Sequence, residues 1–130
     1  MNLYVLDASA WIRLYLADGP VPEGLDDAAS SVDRGESGFV APELILVETA
    51  HALHRKCRRG VLSHSERDAL WQDMRRTRMD LLPAIDHIDR ATALAEKYHV
   101  TVYDALYLAV AEHVGAPLFT ADTALAKAAR

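Results

Sequence analysis

A single cysteine, Cys57, stands in the 130 residues, so no intramolecular disulfide can form and the chain suits a reducing compartment. Long apolar runs are missing as well. No stretch approaches membrane-spanning length, and Asp7 cuts short the opening run Leu3-Tyr4-Val5-Leu6. Neither a membrane span nor a signal peptide is therefore expected, and the expected location is the cytoplasm. The six glycines form no phosphate-cradling loop of the Walker or dinucleotide type, which disfavours a nucleotide-dependent enzyme. A zinc hydrolase is disfavoured too. Glu48-x-x-His51 has ligand spacing on a helix, but there is no His-Glu-x-x-His, and His54, His64, His87, His99 and His113 supply no second cluster. A phosphatase with an aspartyl nucleophile at Asp7 would want a second Asp two residues on, where Ser9 stands.

What remains is an ordinary globular composition, 51% hydrophobic and 25% charged, sized for one domain spanning residues 1–130. The net charge is −5, but it is unevenly spread. Residues 51–79 hold eight basic and three acidic residues, a net of +5, against six basic and sixteen acidic elsewhere, a net of −10. That polarity matches a phosphate-binding arm beside an acidic pocket, and equally matches two solvated helix faces of opposite sign.

Four carboxylates lie within or at the end of apolar runs. Asp7 closes the first run, and Glu48 interrupts Leu44-Ile45-Leu46-Val47. Asp104 lies between Val102-Tyr103 and Ala105-Leu106-Tyr107-Leu108, and Asp122 follows Leu118-Phe119-Thr120-Ala121. An ionised carboxylate near a dry interior is costly unless something positive or hydrogen-bonding compensates it. No basic residue adjoins any of the four in sequence. A shared divalent cation is one compensation, and oxygen-only donors suit Mg²⁺ or Mn²⁺. Helix capping is the plain alternative for Asp7, Asp104 and Asp122, which fall near expected helix starts. Glu48 escapes that account because it sits well inside a helix; its plain alternative is a narrow polar stripe with Glu43, His51 and Arg55, the last two on neighbouring turns.

Turn and capping signals divide the chain into strands near 2–6, 38–40, 80–82 and 117–120. Helices are expected over 8–17, 23–34, 63–76, 86–98, 103–113 and 123–129. One more should open with Pro42 in its first turn and run to Arg58, stopping at Gly60. Ser63-x-x-Glu66 has capping-box spacing. Strands alternating with helices imply an α/β sandwich around a mainly parallel sheet, whose functional groups gather beyond the carboxyl ends of the strands. Asp7 and Asp122 fall at such ends.

The segments Leu6-Asp7-Ala8-Ser9, Pro42-Glu43-Leu44-x-x-Val47-Glu48, Tyr103-Asp104-Ala105-Leu106-Tyr107 and Phe119-Thr120-Ala121-Asp122 resemble the PIN domain. More narrowly, the chain resembles the VapC-type ribonuclease toxins of bacterial toxin–antitoxin pairs. The resemblance implies a three-layer α/β/α sandwich with a short, mainly parallel central sheet. It carries over Asp7, Glu48, Asp104 and Asp122 as the catalytic, metal-binding quartet for Mg²⁺ or Mn²⁺. Thr120 matches the hydroxyl residue that often precedes the last acid. In many relatives a polar residue directly follows the first Asp; Ala8 stands here, leaving Ser9 as the nearest hydroxyl.

The implied chemistry is hydrolysis of RNA by an activated water, leaving a 5′-phosphate and a 3′-hydroxyl. The implied partners are a cognate antitoxin whose tail lies over the site, a second copy in a homodimer, and a larger toxin–antitoxin complex. Arg55 and Arg59, with Arg75, Arg76 and Arg78, are candidates for gripping RNA phosphates, and Trp11, Tyr15 or Trp71 for stacking on bases. The same aromatics equally suit the core or a dimer interface, and Trp11, Leu14, Tyr15 and Leu16 suit either the core or a groove between the first helices for a partner helix. Two other readings stay open from the residues: a non-catalytic PIN-like module that binds RNA or protein, and a nuclease directed at DNA.

Overall fold

Short β-rich segments alternate with amphipathic helices, and the computed structural model, which describes residues 1–129, assembles them around one parallel sheet. The strands are β1 (Asn2–Leu6), β2 (Ser37–Pro42), β3 (Met79–Leu82) and β4 (Leu118–Phe119), in the order β3-β2-β1-β4. All three pairings are parallel, with Val5 opposite Val40 and Leu118, and Pro42 opposite Leu82. Among the described residues the helices are α1 (Ala8–Arg13), α2 (Leu25–Asp33), α3 (Leu44–Arg58), α4 (His64–Met74), α5 (Ile88–Tyr98), α6 (Val102–Val114) and α7 (Thr123–Ala128). The arrangement is the expected α/β/α sandwich. Among the same residues, no helix is long and apolar enough to cross a membrane.

Two apolar clusters hold the layers together. The larger joins Val5 and Leu6 of β1 to α1, α2, β2 and α3, with Met74, Tyr107 and Val110 added from α4 and α6. The smaller joins α5, α6 and Leu125 of α7. Helix α6 serves both: residues 105–110 are all buried, Tyr107 and Val110 facing the first cluster and Ala105, Leu106, Leu108 and Ala109 the second. Burying each leucine contributes roughly 1.5–3 kcal/mol, so α6 is anchored by its whole middle. Its start is fixed by Thr101, which accepts from the Asp104 amide at 3.0 Å. It stops at Gly115, whose φ of 65° is the left-handed conformation glycine takes most readily.

Several boundaries shift by one or two residues, and three differences change a segment's character. Helix α1 ends at Arg13 rather than running to residue 17, and the chain turns back through 14–16. Pro42 closes β2 instead of opening α3. Lacking an N–H, proline suits a strand's last position, and the Glu43 amide takes over pairing by donating to Leu82 O at 3.0 Å. The segment before α5 is a 3₁₀ turn, Ala84–Asp86, and α5 begins only after His87, whose φ of −123° is not helical. The capping box at Ser63 and Glu66 forms as its spacing implies, with bonds of 3.1 and 2.8 Å.

Candidate active site

The parallel sheet determines where the four carboxylates meet. Strands β1 and β4 are neighbours, so Asp7 and Asp122, each just past its strand, leave from the same edge. Helix α3 departs from the same end of β2 and carries Glu48, while α6 presents Asp104 in its first turn. All four line one cavity of about 450 Å³.

Asp7 is the most confined, at 5% exposure. It caps α1, its Oδ1 accepting from the Ala10 amide at 2.9 Å and from Ser9 Oγ at 2.7 Å. Its Oδ2 accepts from Thr120 Oγ1. The two hydroxyls are themselves placed by the backbone: Ser9 Oγ accepts from the Ala121 amide at 2.9 Å, and Thr120 Oγ1 from the Asp122 amide at 3.0 Å. Burial pushes the Asp7 carboxyl above its ordinary value, the bonds from Ser9, Thr120 and Ala10 oppose that, and the nearby Asp104 charge adds to it.

The other acids are coupled to it. Half-buried Glu48 is raised by burial, held back by a bond from Tyr107, and raised further by Asp104 and Asp7. Asp104 is raised by burial and then by Asp122, with its bond to Thr101 opposing. Asp122 is exposed and caps α7, its Oδ1 accepting from the Leu125 amide at 2.9 Å. Both Asp7 and Asp122 therefore cap helices and line the cavity together, so the two readings of these residues are not exclusive.

The donor set suits a hard divalent cation in kind: four carboxylates, of which Asp7, Glu48 and Asp104 are raised first by burial and also by a neighbouring acid. It is not closed around one. Among the described residues, no three acidic, histidine or cysteine side chains are grouped tightly enough to hold an ion as they stand. Lining one cavity and converging on one point are different conditions. The first is met, and the second is not. Asp7, tied at both oxygens, is the fixed member.

Of the cavity's cations, Arg55 was expected from the sequence as a phosphate contact, and Arg13 was not. Arg13, Arg55 and Lys56 line the same cavity, brought there by α1 and α3. Two of them are committed to the loop after α1: Arg13 donates to Pro20 O at 2.7 Å, and Lys56 pairs with Asp18 at 2.6 Å. Among the described residues, Arg55 makes no ion pair. His51 lines the cavity beside it, one helical turn earlier on α3. Tyr107, part of a recognised motif but given no role from sequence, also borders the cavity and donates to Glu48 Oε1 at 2.6 Å.

The remaining candidates lie elsewhere. Arg75 sits over the Trp71 ring at 5.9 Å, Arg76 reaches Asp73 at 3.9 Å, and Arg59 caps the end of α3. None of these three, nor Arg78, lines the cavity. Trp11 is not a stacking platform. It is 2% exposed, donates to Thr77 Oγ1 at 3.1 Å and packs edge-on to Trp71. Leu14 and Leu16 pack against the main core rather than forming an open groove.

A sequence model of the PIN domain matches residues 4–130. Ribonuclease VapC3 of Pyrobaculum aerophilum is 34% identical over 127 residues, covering 95% of this chain and 92% of the relative. Ribonuclease VapC1 of Mycobacterium tuberculosis is 34% identical over 138 residues, covering 98% and 92%. Among solved structures, PAE2754 from Pyrobaculum aerophilum superposes with a TM-score of 0.75 at 22% identity, covering 99% of this chain and 81% of that one. VapBC2 from Rickettsia felis, bound to a DNA fragment from its promoter, superposes with a TM-score of 0.59 at 11% identity, covering 89% and 85%.

Proposed function

The chain belongs to the PIN domain family, and we propose that it is a metal-dependent endoribonuclease serving as the toxin of a toxin–antitoxin pair. The observation that carries this reading is the meeting of Asp7, Glu48, Asp104 and Asp122 on one cavity beyond the carboxyl ends of the strands. A module with no chemistry to perform gains nothing from four carboxylates on one cavity, three of them raised by burial and by neighbouring acids. The two VapC relatives, named as ribonucleases and aligned over nearly their whole length, support RNA as the substrate.

Asp7, Asp104 and Asp122 would hold Mg²⁺ or Mn²⁺, with Glu48 as a further ligand or as the orienter of the attacking water. When bound, such a cation supplies charge neutralisation at the phosphodiester and lowers the pKa of a nearby water. The protein's own part is placement. Ser9 and Thr120 lock Asp7 as a fixed anionic wall, and the Ala121 and Asp122 amides lock those hydroxyls in turn. Arg55, which lines the cavity, would grip a phosphate flanking the scissile bond.

The products would carry a 5′-phosphate and a 3′-hydroxyl. The partners in this reading are a cognate antitoxin covering the cavity, a second copy in a homodimer, and the larger assembly they build. The VapBC2 neighbour supports the antitoxin. The location in this reading is the cytoplasm.

Incubating purified, antitoxin-free protein with total bacterial RNA in Mg²⁺, Mn²⁺ or EDTA tests the proposal. Discrete fragments are expected in either metal, lost in EDTA and in Asp104→Asn. A parallel arm with single-stranded DNA distinguishes a DNA-directed nuclease. Cleavage of neither by folded, metal-supplied protein would favour a binding module instead.

A further inference from the structure

Asp104 and Tyr107 stand three residues apart on α6, close to one helical turn, and both border the cavity. The Tyr107 ring is 1% exposed and packs in the main core. A phenol at such a position adds nothing to apolar packing over phenylalanine, and its hydroxyl costs desolvation unless bonded. Here the hydroxyl crosses from α6 to α3 and donates to Glu48 Oε1 at 2.6 Å.

The two confined acids are thus treated alike but unequally. Asp7 has both oxygens tied, by Ser9 and Ala10 on one side and Thr120 on the other. Glu48 has one oxygen tied, by Tyr107.

We infer that Tyr107 is a positioning residue: its hydroxyl fixes Glu48 Oε1, leaving Oε2 as the single oxygen that serves the reaction from a set direction. This rests on the proposed ribonuclease function and deepens it, since Tyr107 lies outside the acidic quartet and acts through it. Among the described residues the Tyr107 hydroxyl has no other hydrogen-bond partner, so a change there is transmitted through Glu48.

Tyr107→Phe removes one oxygen and keeps the ring; circular dichroism and a thermal melt check that it folds. Mn²⁺ alone is titrated calorimetrically into metal-free protein, and RNA cleavage is measured alongside. The expected result is about a tenfold loss of Mn²⁺ affinity and a similar loss in kcat, the usual size for an outer partner of a ligand. KM for RNA should stay unchanged. In a Glu48→Ala background, Tyr107→Phe should cost nothing more. Wild-type Mn²⁺ affinity and kcat in Tyr107→Phe would overturn the inference, as would an equal penalty with and without Glu48, the mark of a purely structural hydroxyl. A wild-type protein that binds no Mn²⁺ would overturn the proposed function itself.

Discussion

Thr120 donates its hydroxyl proton to Asp7 across 113 residues of sequence, tying the exit of β4 to the exit of β1. The bond does two things at once: it stabilises a carboxylate that is 5% exposed, and it fixes where that carboxylate points. Thr120→Val keeps the shape and removes the donor. Hydrogen bonds to buried charged groups are worth about 2 kcal/mol, and a group so little exposed escapes the screening of surface pairs. Urea denaturation of the variant should therefore show a loss of about that size, and cleavage should fall roughly tenfold or more.

The carboxyls of Asp7, Glu48 and Asp104 all lie above their ordinary values, with burial as the leading cause in each. An acid with a raised folded pKa binds more protons folded than unfolded between its two pKa values. Its contribution to stability therefore declines as pH rises through that window. Asp104→Asn removes one such group. On metal-free protein, the variant should match the wild type below the ordinary carboxylate range and become the more stable of the two as pH approaches neutrality. Urea midpoints taken from about pH 4 to about pH 8 measure the gap. A gap that shrank with rising pH would contradict these shifts.

Arg55 faces the cavity, whereas Arg75, Arg76 and Arg78 do not line it. Arg55→Ala should raise KM for RNA and flatten its dependence on salt by about one phosphate contact. The triple change of Arg75, Arg76 and Arg78 to Ala should affect KM less. Binding measured at several salt concentrations separates the two. The reverse order would place the RNA path along α4 instead of across α3.

Lys56 and Arg13 pin the loop after α1 to the cavity wall through Asp18 and Pro20. Lys56 and Asp18 are partly solvated, so Lys56→Met should change global stability by less than about 1 kcal/mol. The loop over 14–24 should nonetheless open more often. Limited proteolysis is expected to cut there faster in the variant than in the wild type, with the thermal midpoint almost unmoved.

The strands and helices were legible because apolar runs, caps and glycine stops mark them directly: Ser63 and Glu66 close their box, and Gly60 and Gly115 follow helices. Pro42 was not, because a proline suits both a strand's last residue and a helix's first turn, and only pairing with β3 decides. The four acids stood out as charge inside apolar sequence. Their neighbours did not. Arg13 and Lys56 sit on helices that meet only after folding, and Tyr107 reads as one more core aromatic until its hydroxyl is seen against Glu48. The basic run over 51–79 illustrates the converse: its net charge is a property of sequence, but helical placement sends only Arg55 and Lys56 of its cations to the cavity.

The central question is whether these carboxylates share a cation. Crystals soaked in Mn²⁺ and measured at the manganese absorption edge give the most direct answer. The expected result is an anomalous peak inside the cavity, in contact with Asp7 and at least one of Asp104 and Asp122, and missing in Asp104→Asn crystals soaked alongside. A cavity without manganese in crystals that bind it elsewhere, or an unchanged peak in the variant, would contradict the claim.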